Sequence, residues 1–90
     1  MCPEIGKLVI SSRGRDKSRV LAVIGSTQTH LILADGRKRR MEKPKMKKIK
    51  HVELLGVELS PETLALLEKN ELTNRMLYRS IQDSLKSENS

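Results

Sequence analysis

The sequence predicts a small, mainly β domain: five short strands closing into a barrel, followed by a short C-terminal helical hairpin. Two observations predict it. Before residue 58 the apolar residues fall in short runs, Leu8-Val9-Ile10, Val20 to Ile24 and Leu31-Ile32-Leu33, separated by turn-forming residues and too short for helices. After Gly56 the apolar spacing becomes helical. A chain of 90 residues holds one modest core.

Gly6 to Ile10 reads as the first strand, and Ser11 to Arg19 as a polar, basic loop broken by Gly14. Val20 to Ile24 is the second strand, ended by Gly25, and His30 to Ala34 the third. Asp35-Gly36 supplies the backbone angles of a two-residue hairpin turn and is expected to lead into a fourth, almost wholly cationic strand over Arg37 to Met41. Pro44 interrupts any ladder, and Lys48 to Glu53 offers a fifth strand carrying Ile49 and Val52. Near closure of five such strands would remove exposed edges.

Ser60-Pro61-Glu62 is a helix start: a hydroxyl that accepts from a free backbone N–H, a proline suited to the first helical position, and an acid that complements the positive helix end. Leu59 and Leu64 flank the cap as a hydrophobic staple, and Asn70 ends the helix. A second helix starts at Thr73, flanked by Leu72 and Leu77, with Leu77, Ile81 and Leu85 as its stripe. Both helices are expected to be short and to pack on the barrel, on each other or on a partner, with Lys86 to Ser90 loose. The division is thus a barrel over residues 1–58 and a helical extension over 59–90.

Charge narrows the function. The net charge is +7, which asks for a polyanionic partner, nucleic acid before an anionic membrane. Residues 1–58 hold fourteen Lys/Arg against six Asp/Glu, whereas residues 59–90 hold four against five, so the charge lives in the first two thirds of the chain. Tyr78 is the only aromatic side chain and fits either a core or a partner contact. Binding modes that stack bases on several rings are thereby excluded. Cys2 is the only cysteine, so there is no internal disulfide and no cysteine cluster, which suits a reducing cytoplasm. No apolar run approaches the roughly 20 residues of a membrane span, and the N-terminus does not read as a signal peptide.

The strongest local feature is the segment from Arg37 to Lys50, with nine Lys/Arg in fourteen residues and Glu42 as its only acid. Self-repulsion of that density is relieved by phosphates. A second cluster, Arg13, Arg15, Lys17 and Arg19, alternates through the loop around Gly14, and the arginine fork grips phosphate at two points. Enzyme readings find no support: Ser11 and Ser12 lack a His-Asp context, His30 and His51 lack companions for a metal, and no Gly-rich turn opens a helix with Lys-Ser/Thr. No catalysis, metal or cofactor is expected. His30 reads as structural, while His51, beside Lys50, could touch RNA.

The stretch Gly6-Lys7-Leu8-Val9-Ile10-Ser11-Ser12-Arg13-Gly14-Arg15-Asp16-Lys17-Ser18-Arg19-Val20-Leu21-Ala22-Val23-Ile24 resembles a KOW motif, a strand, a Gly-containing basic turn and a second apolar strand. With Leu33-Ala34-Asp35-Gly36, Glu42-Lys43-Pro44-Lys45 and Lys48-Ile49-Lys50-His51, residues 5 to 54 resemble short bacterial KOW-domain RNA-binding proteins, akin to archaeal and eukaryotic large-subunit ribosomal proteins with SH3-like barrels. Ser18 and Leu21 stand where the broad pattern has glycine, and Leu21 points to the ribosomal-protein-like branch. The resemblance implies an SH3-like barrel, RNA as ligand, and contacts from the loop Arg13 to Arg19.

The expected function is therefore binding of structured, ribosomal RNA or the ribosome in the cytoplasm. The candidate contacts are Arg13, Arg15, Lys17 and Arg19 from the loop, with Arg37, Lys38, Arg39, Arg40, Lys43, Lys45, Lys47, Lys48, Lys50 and His51 as the electrostatic face. The rival readings are a protein-interaction adaptor of the translation or transcription machinery, with a partner on the C-terminal helices, and a DNA-binding architectural protein.

Overall fold

The structure, a computed structural model, describes residues 5–11 and 19–89. Arg13, Gly14, Arg15 and Lys17 therefore lie outside the described residues, as do Cys2 and Ser90. Five strands, β1 (Lys7–Ser11), β2 (Val20–Ser26), β3 (His30–Ala34), β4 (Lys45–Lys48) and β5 (Val52–Glu58), are followed by helices α1 (Pro61–Glu68) and α2 (Asn74–Asn89), with a single 3-10 turn (Ile49–His51) between β4 and β5. The strands form one antiparallel sheet in the order β4-β3-β2-β1-β5.

The consecutive apolar residues of β1 to β3 follow from burial on both faces, which removes the polar half of the usual alternation. On one face Leu8, Ala22 and Ala34 are fully buried, and on the other Val9, Leu21, Val23, Leu31 and Leu33. Among the described residues the second cluster is made of strand residues alone, with Val52 of β5 packed against the residues of β1 to β3. Register shifts at Lys7/Val9 against β5 and at Val23/Gly25 against β3 supply bends. The five antiparallel strands and the helical tail form as expected, and the sheet is open between its outer strands β4 and β5, which are not hydrogen-bonded to each other.

Two strands differ from the sequence expectation. Arg37 to Met41 is not a strand but part of a loop, and β4 begins only at Lys45. The cause is local: the loop's backbone groups bond to one another, to Asp35 and to Asn74 rather than to a neighbouring strand. The expected strand over Lys48 to Glu53 starts later and runs further, because Ile49 to His51 turn the chain and β5 continues to Glu58. It does so across a wide bulge, in which Gly56 adopts a φ of 77°.

The helix caps form as the sequence indicates. Ser60 Oγ accepts from the Thr63 N–H (3.3 Å) and Thr73 Oγ1 from the Met76 N–H (3.2 Å). Asn70, at φ 59°, ends the α1 segment in the left-handed region that Asn tolerates. Leu59, Leu72, Leu77 and Ile81 join Leu8, Ala22 and Ala34 in one buried cluster, so the helices pack on the sheet. Hydroxyls tie the layers together: Thr63 Oγ1 lies 2.7 Å from Ser80 Oγ, and Ser84 Oγ donates to the Glu58 carbonyl (3.2 Å). With 16 residues α2 is not short, and it runs through Asn89 where a loose end over Lys86 to Ser90 was expected. Leu85, packed against the common cluster, carries the helix into this last stretch.

Because Leu77 is fully buried in the cluster that sheet and helices share, Leu77→Ala should cost about 2–5 kcal/mol. Urea unfolding followed by circular dichroism checks it, and helical and β signals should be lost in one transition.

Candidate nucleic-acid interface

The loop between β3 and β4 is built around one carboxylate. Asp35 is buried, and its Oδ1 accepts from the backbone N–H groups of Arg37 (2.8 Å) and Arg39 (2.9 Å). The N–H groups of Asp35 and Gly36 in turn donate to the Arg39 carbonyl (2.9 and 3.1 Å), closing the chain on itself. Gly36 sits at φ 80°, and a Cβ there would overlap the Asn74 carbonyl oxygen, so only glycine lets the loop approach α2 this closely.

The first turn of α2 grips the loop from the other side. Asn74 Oδ1 accepts from the Met41 N–H (2.8 Å), and its Nδ2 donates to the Glu42 carboxylate. The Tyr78 hydroxyl accepts from Arg37 Nη1 (3.0 Å), with the guanidinium carbon 5.3 Å from the ring centroid. Tyr78, half-buried, is thus neither a core ring nor a free one.

These anchors place the cations in groups. Lys38, Arg39, Arg40 and Lys43 line, with Glu42, an open concavity of about 340 Å³. Along β4 the strand's twofold period divides the charges. Lys45 and Lys47 stand opposite Leu33 and Leu31, on the face of the strand-only cluster, and are half-buried. Met46 and Lys48 stand opposite Ile32 and His30, and both are exposed. At the far end of β4, Lys48, Ile49 and Lys50 line a second concavity of about 390 Å³ with Gln28 and Thr29 of the β2–β3 turn, where the Ile49 N–H donates to the Thr29 carbonyl (3.2 Å). Pro44 and the strand residues Lys45, Met46 and Lys47 separate the two groups along the chain.

His30 has a structural place: its Nδ1 lies 2.7 Å from the Thr29 hydroxyl in a turn closed by the Thr27 N–H on the His30 carbonyl. His51, half-buried, immediately precedes Val52, which pairs with Ser11 at the end of β1. Arg19, half-buried, precedes Val20, which pairs with Ile10, so His51 and Arg19 both lie next to the strand ends that flank residues 12–18. The candidates Arg13, Arg15 and Lys17 fall outside the described residues.

Sequence reasoning missed Asp35, Asn74 and Tyr78 as builders of this surface. The signal for Asp35 was present, since aspartate caps backbone N–H groups two residues on. That for Asn74 and Tyr78 was not, because their partners lie more than thirty residues away in sequence.

Among the described residues no group of three or more His, Cys, Asp or Glu could hold a metal ion, and no helix is long and apolar enough to cross a membrane. Compared with known proteins, the chain matches no family model and no curated protein.

The hydrogen bond from Asn74, followed by one from backbone, holds the Glu42 carboxyl below its ordinary value against an opposing desolvation, with the charge of Arg40 adding least. With the folded pKa below the unfolded one, ionised Glu42 adds stability that is complete above the ordinary carboxylate range and is lost as pH falls through the depressed folded value. Glu42→Gln should therefore flatten the acid limb of the stability curve, checked by urea midpoints across pH and by a carboxyl-resonance titration of Glu42. In the same loop, Gly36→Ala should cost about 2–4 kcal/mol from its left-handed φ and the overlap with Asn74, measured by urea unfolding.

Proposed function

We propose that this protein is a KOW-type RNA-binding module that holds structured RNA through backbone phosphates and catalyses nothing. One observation carries the reading: six cations, Arg37, Lys38, Arg40, Lys43, Lys48 and Lys50, are exposed on a folded framework. The carboxylates of Asp35, just before that segment, and Glu42, within it, meanwhile serve backbone N–H groups and Asn74. A solvated charge run has no need of such anchoring, whereas a surface that receives a polyanion gains from it, because cations fixed beforehand lose less freedom on binding. The antiparallel pair of apolar strands β1 and β2, flanking a basic segment, supports the resemblance to the KOW motif.

Few groups on this surface could read base edges, so recognition rests on the spacing of phosphates and on the shape of the RNA helix. The two concavities, at opposite ends of β4, would take phosphates from separate points of a folded RNA. By the resemblance the partner is ribosomal RNA or the ribosome, and the compartment the cytoplasm. A helix-mediated adaptor role is less well supported, since Leu77 and Ile81 are spent on the protein's own core. That shared core also makes removal of residues 59–90 a poor test, because the sheet would lose its cover.

The salt dependence of binding to a base-paired RNA hairpin tests the reading, measured by fluorescence anisotropy in increasing KCl. If the six exposed cations each meet a phosphate, log affinity against log salt should slope at about −4 to −5. Replacing Lys38, Arg40 and Lys43 together by Ala should make the slope shallower by about 2–3 units. A slope near zero for the unaltered protein would rule the reading out, and stronger competition by DNA than by RNA would favour the architectural alternative.

A further inference from the structure

Arg37, an exposed cation of the loop, is held from within the protein. Its Nη1 donates to the Tyr78 hydroxyl (3.0 Å) and its guanidinium carbon lies 5.3 Å from the ring centroid, yet the residue as a whole is exposed. The backbone beneath it is fixed as well, for its N–H is bound by the buried Asp35 and the adjoining Gly36 lies against Asn74. A guanidinium has five N–H donors in one plane, and the bond to Tyr78 uses one of them. The remaining donors include an edge of two parallel N–H groups, the geometry that matches two oxygens of one phosphate.

An exposed arginine ordinarily surrenders much of its rotamer freedom when it is fixed. Here much of that loss is incurred on folding. Resting on the RNA-binding reading above, we propose that Arg37 is a preorganised fork that takes one RNA phosphodiester at both non-bridging oxygens, and that Tyr78 is its positioning residue. This gives the sole aromatic side chain of the protein a role without base stacking. It also makes α2 part of the RNA-binding apparatus, though its own side chains need not touch RNA.

The test uses the full chain and a base-paired RNA hairpin, with affinity measured across a KCl series for Arg37→Lys, Arg37→Ala, Tyr78→Phe and the double variant Arg37→Lys/Tyr78→Phe. Arg37→Lys keeps the charge and loses the fork, so affinity should fall about five- to tenfold with the salt slope unchanged. Arg37→Ala should weaken binding further and make the slope shallower by about 0.7–0.9. Tyr78→Phe keeps the ring in place and removes only the hydroxyl, so the fold should persist while affinity falls about two- to fivefold at constant slope. The double variant should bind no worse than Arg37→Lys alone, because Tyr78 acts through the guanidinium. Lys86→Ala, at the other end of α2, serves as a charge control and should leave affinity within about twofold. Wild-type affinity for both Arg37→Lys and Tyr78→Phe, with the steep slope retained, would overturn the fork while leaving RNA binding intact. Additive losses in the double variant would overturn the positioning role. A slope near zero in the unaltered protein would overturn both the fork and the function it serves.

Discussion

Nine like charges within fourteen residues repel one another, and the structure between Ala34 and His51 is shaped by how that repulsion is borne. Two unit charges at 4 Å cost about 1 kcal/mol even in water, comparable with the 0.5–1.5 kcal/mol net gain of a typical hydrogen bond. A regular hairpin would have lined these cations along a strand. The chain instead folds into a loop whose anchors are drawn from outside the charged run: Asp35 beneath, Asn74 and Tyr78 from α2. β4 is left with only four residues, and its period sends its lysines to both faces. The division of the cations between two concavities and the place of α2 beside the loop go with these anchors.

The same reasoning gives the helical tail its place. Leu59, Leu72, Leu77 and Ile81 complete a cluster that Leu8, Ala22 and Ala34 could not close by themselves. In a chain of 90 residues with little aromatic bulk, this cover contributes a large part of the stability. The helix that supplies the core residues Leu77 and Ile81 also carries Asn74 and Tyr78 toward the loop, so packing and charge presentation share one element. Phosphate binding at the loop would in turn relieve the repulsion that loop and helix jointly hold in check.

Much of this was legible in the sequence, and what was not has physical causes. The runs in β1 to β3, the caps at Ser60 and Thr73, and the stripe of Leu77, Ile81 and Leu85 are local signals that survive folding. Arg37 to Met41 was misread as a strand because Asp35-Gly36 is a hairpin signal in isolation. Capture of the Arg37 and Arg39 N–H groups by the buried Asp35 carboxylate outweighs it. The extent of β5 was missed because Gly56 reads as a terminator, whereas here its left-handed φ lets the strand bulge and continue. The cations were legible as residues but not as a surface, since their division between loop, strand faces and 3-10 turn depends on register and on partners distant in sequence.

The most direct measurement is a backbone-amide NMR titration of the full chain with a base-paired RNA hairpin at moderate salt. Shifts should concentrate in residues 36–43 and 48–51, with secondary changes at Asn74 and Tyr78, while Leu54 to Glu58 and Gln82 to Lys86 stay in place. Perturbations confined to the outer face of α2 or to the β5 edge, or none at all, would contradict an RNA-binding role for the basic surface.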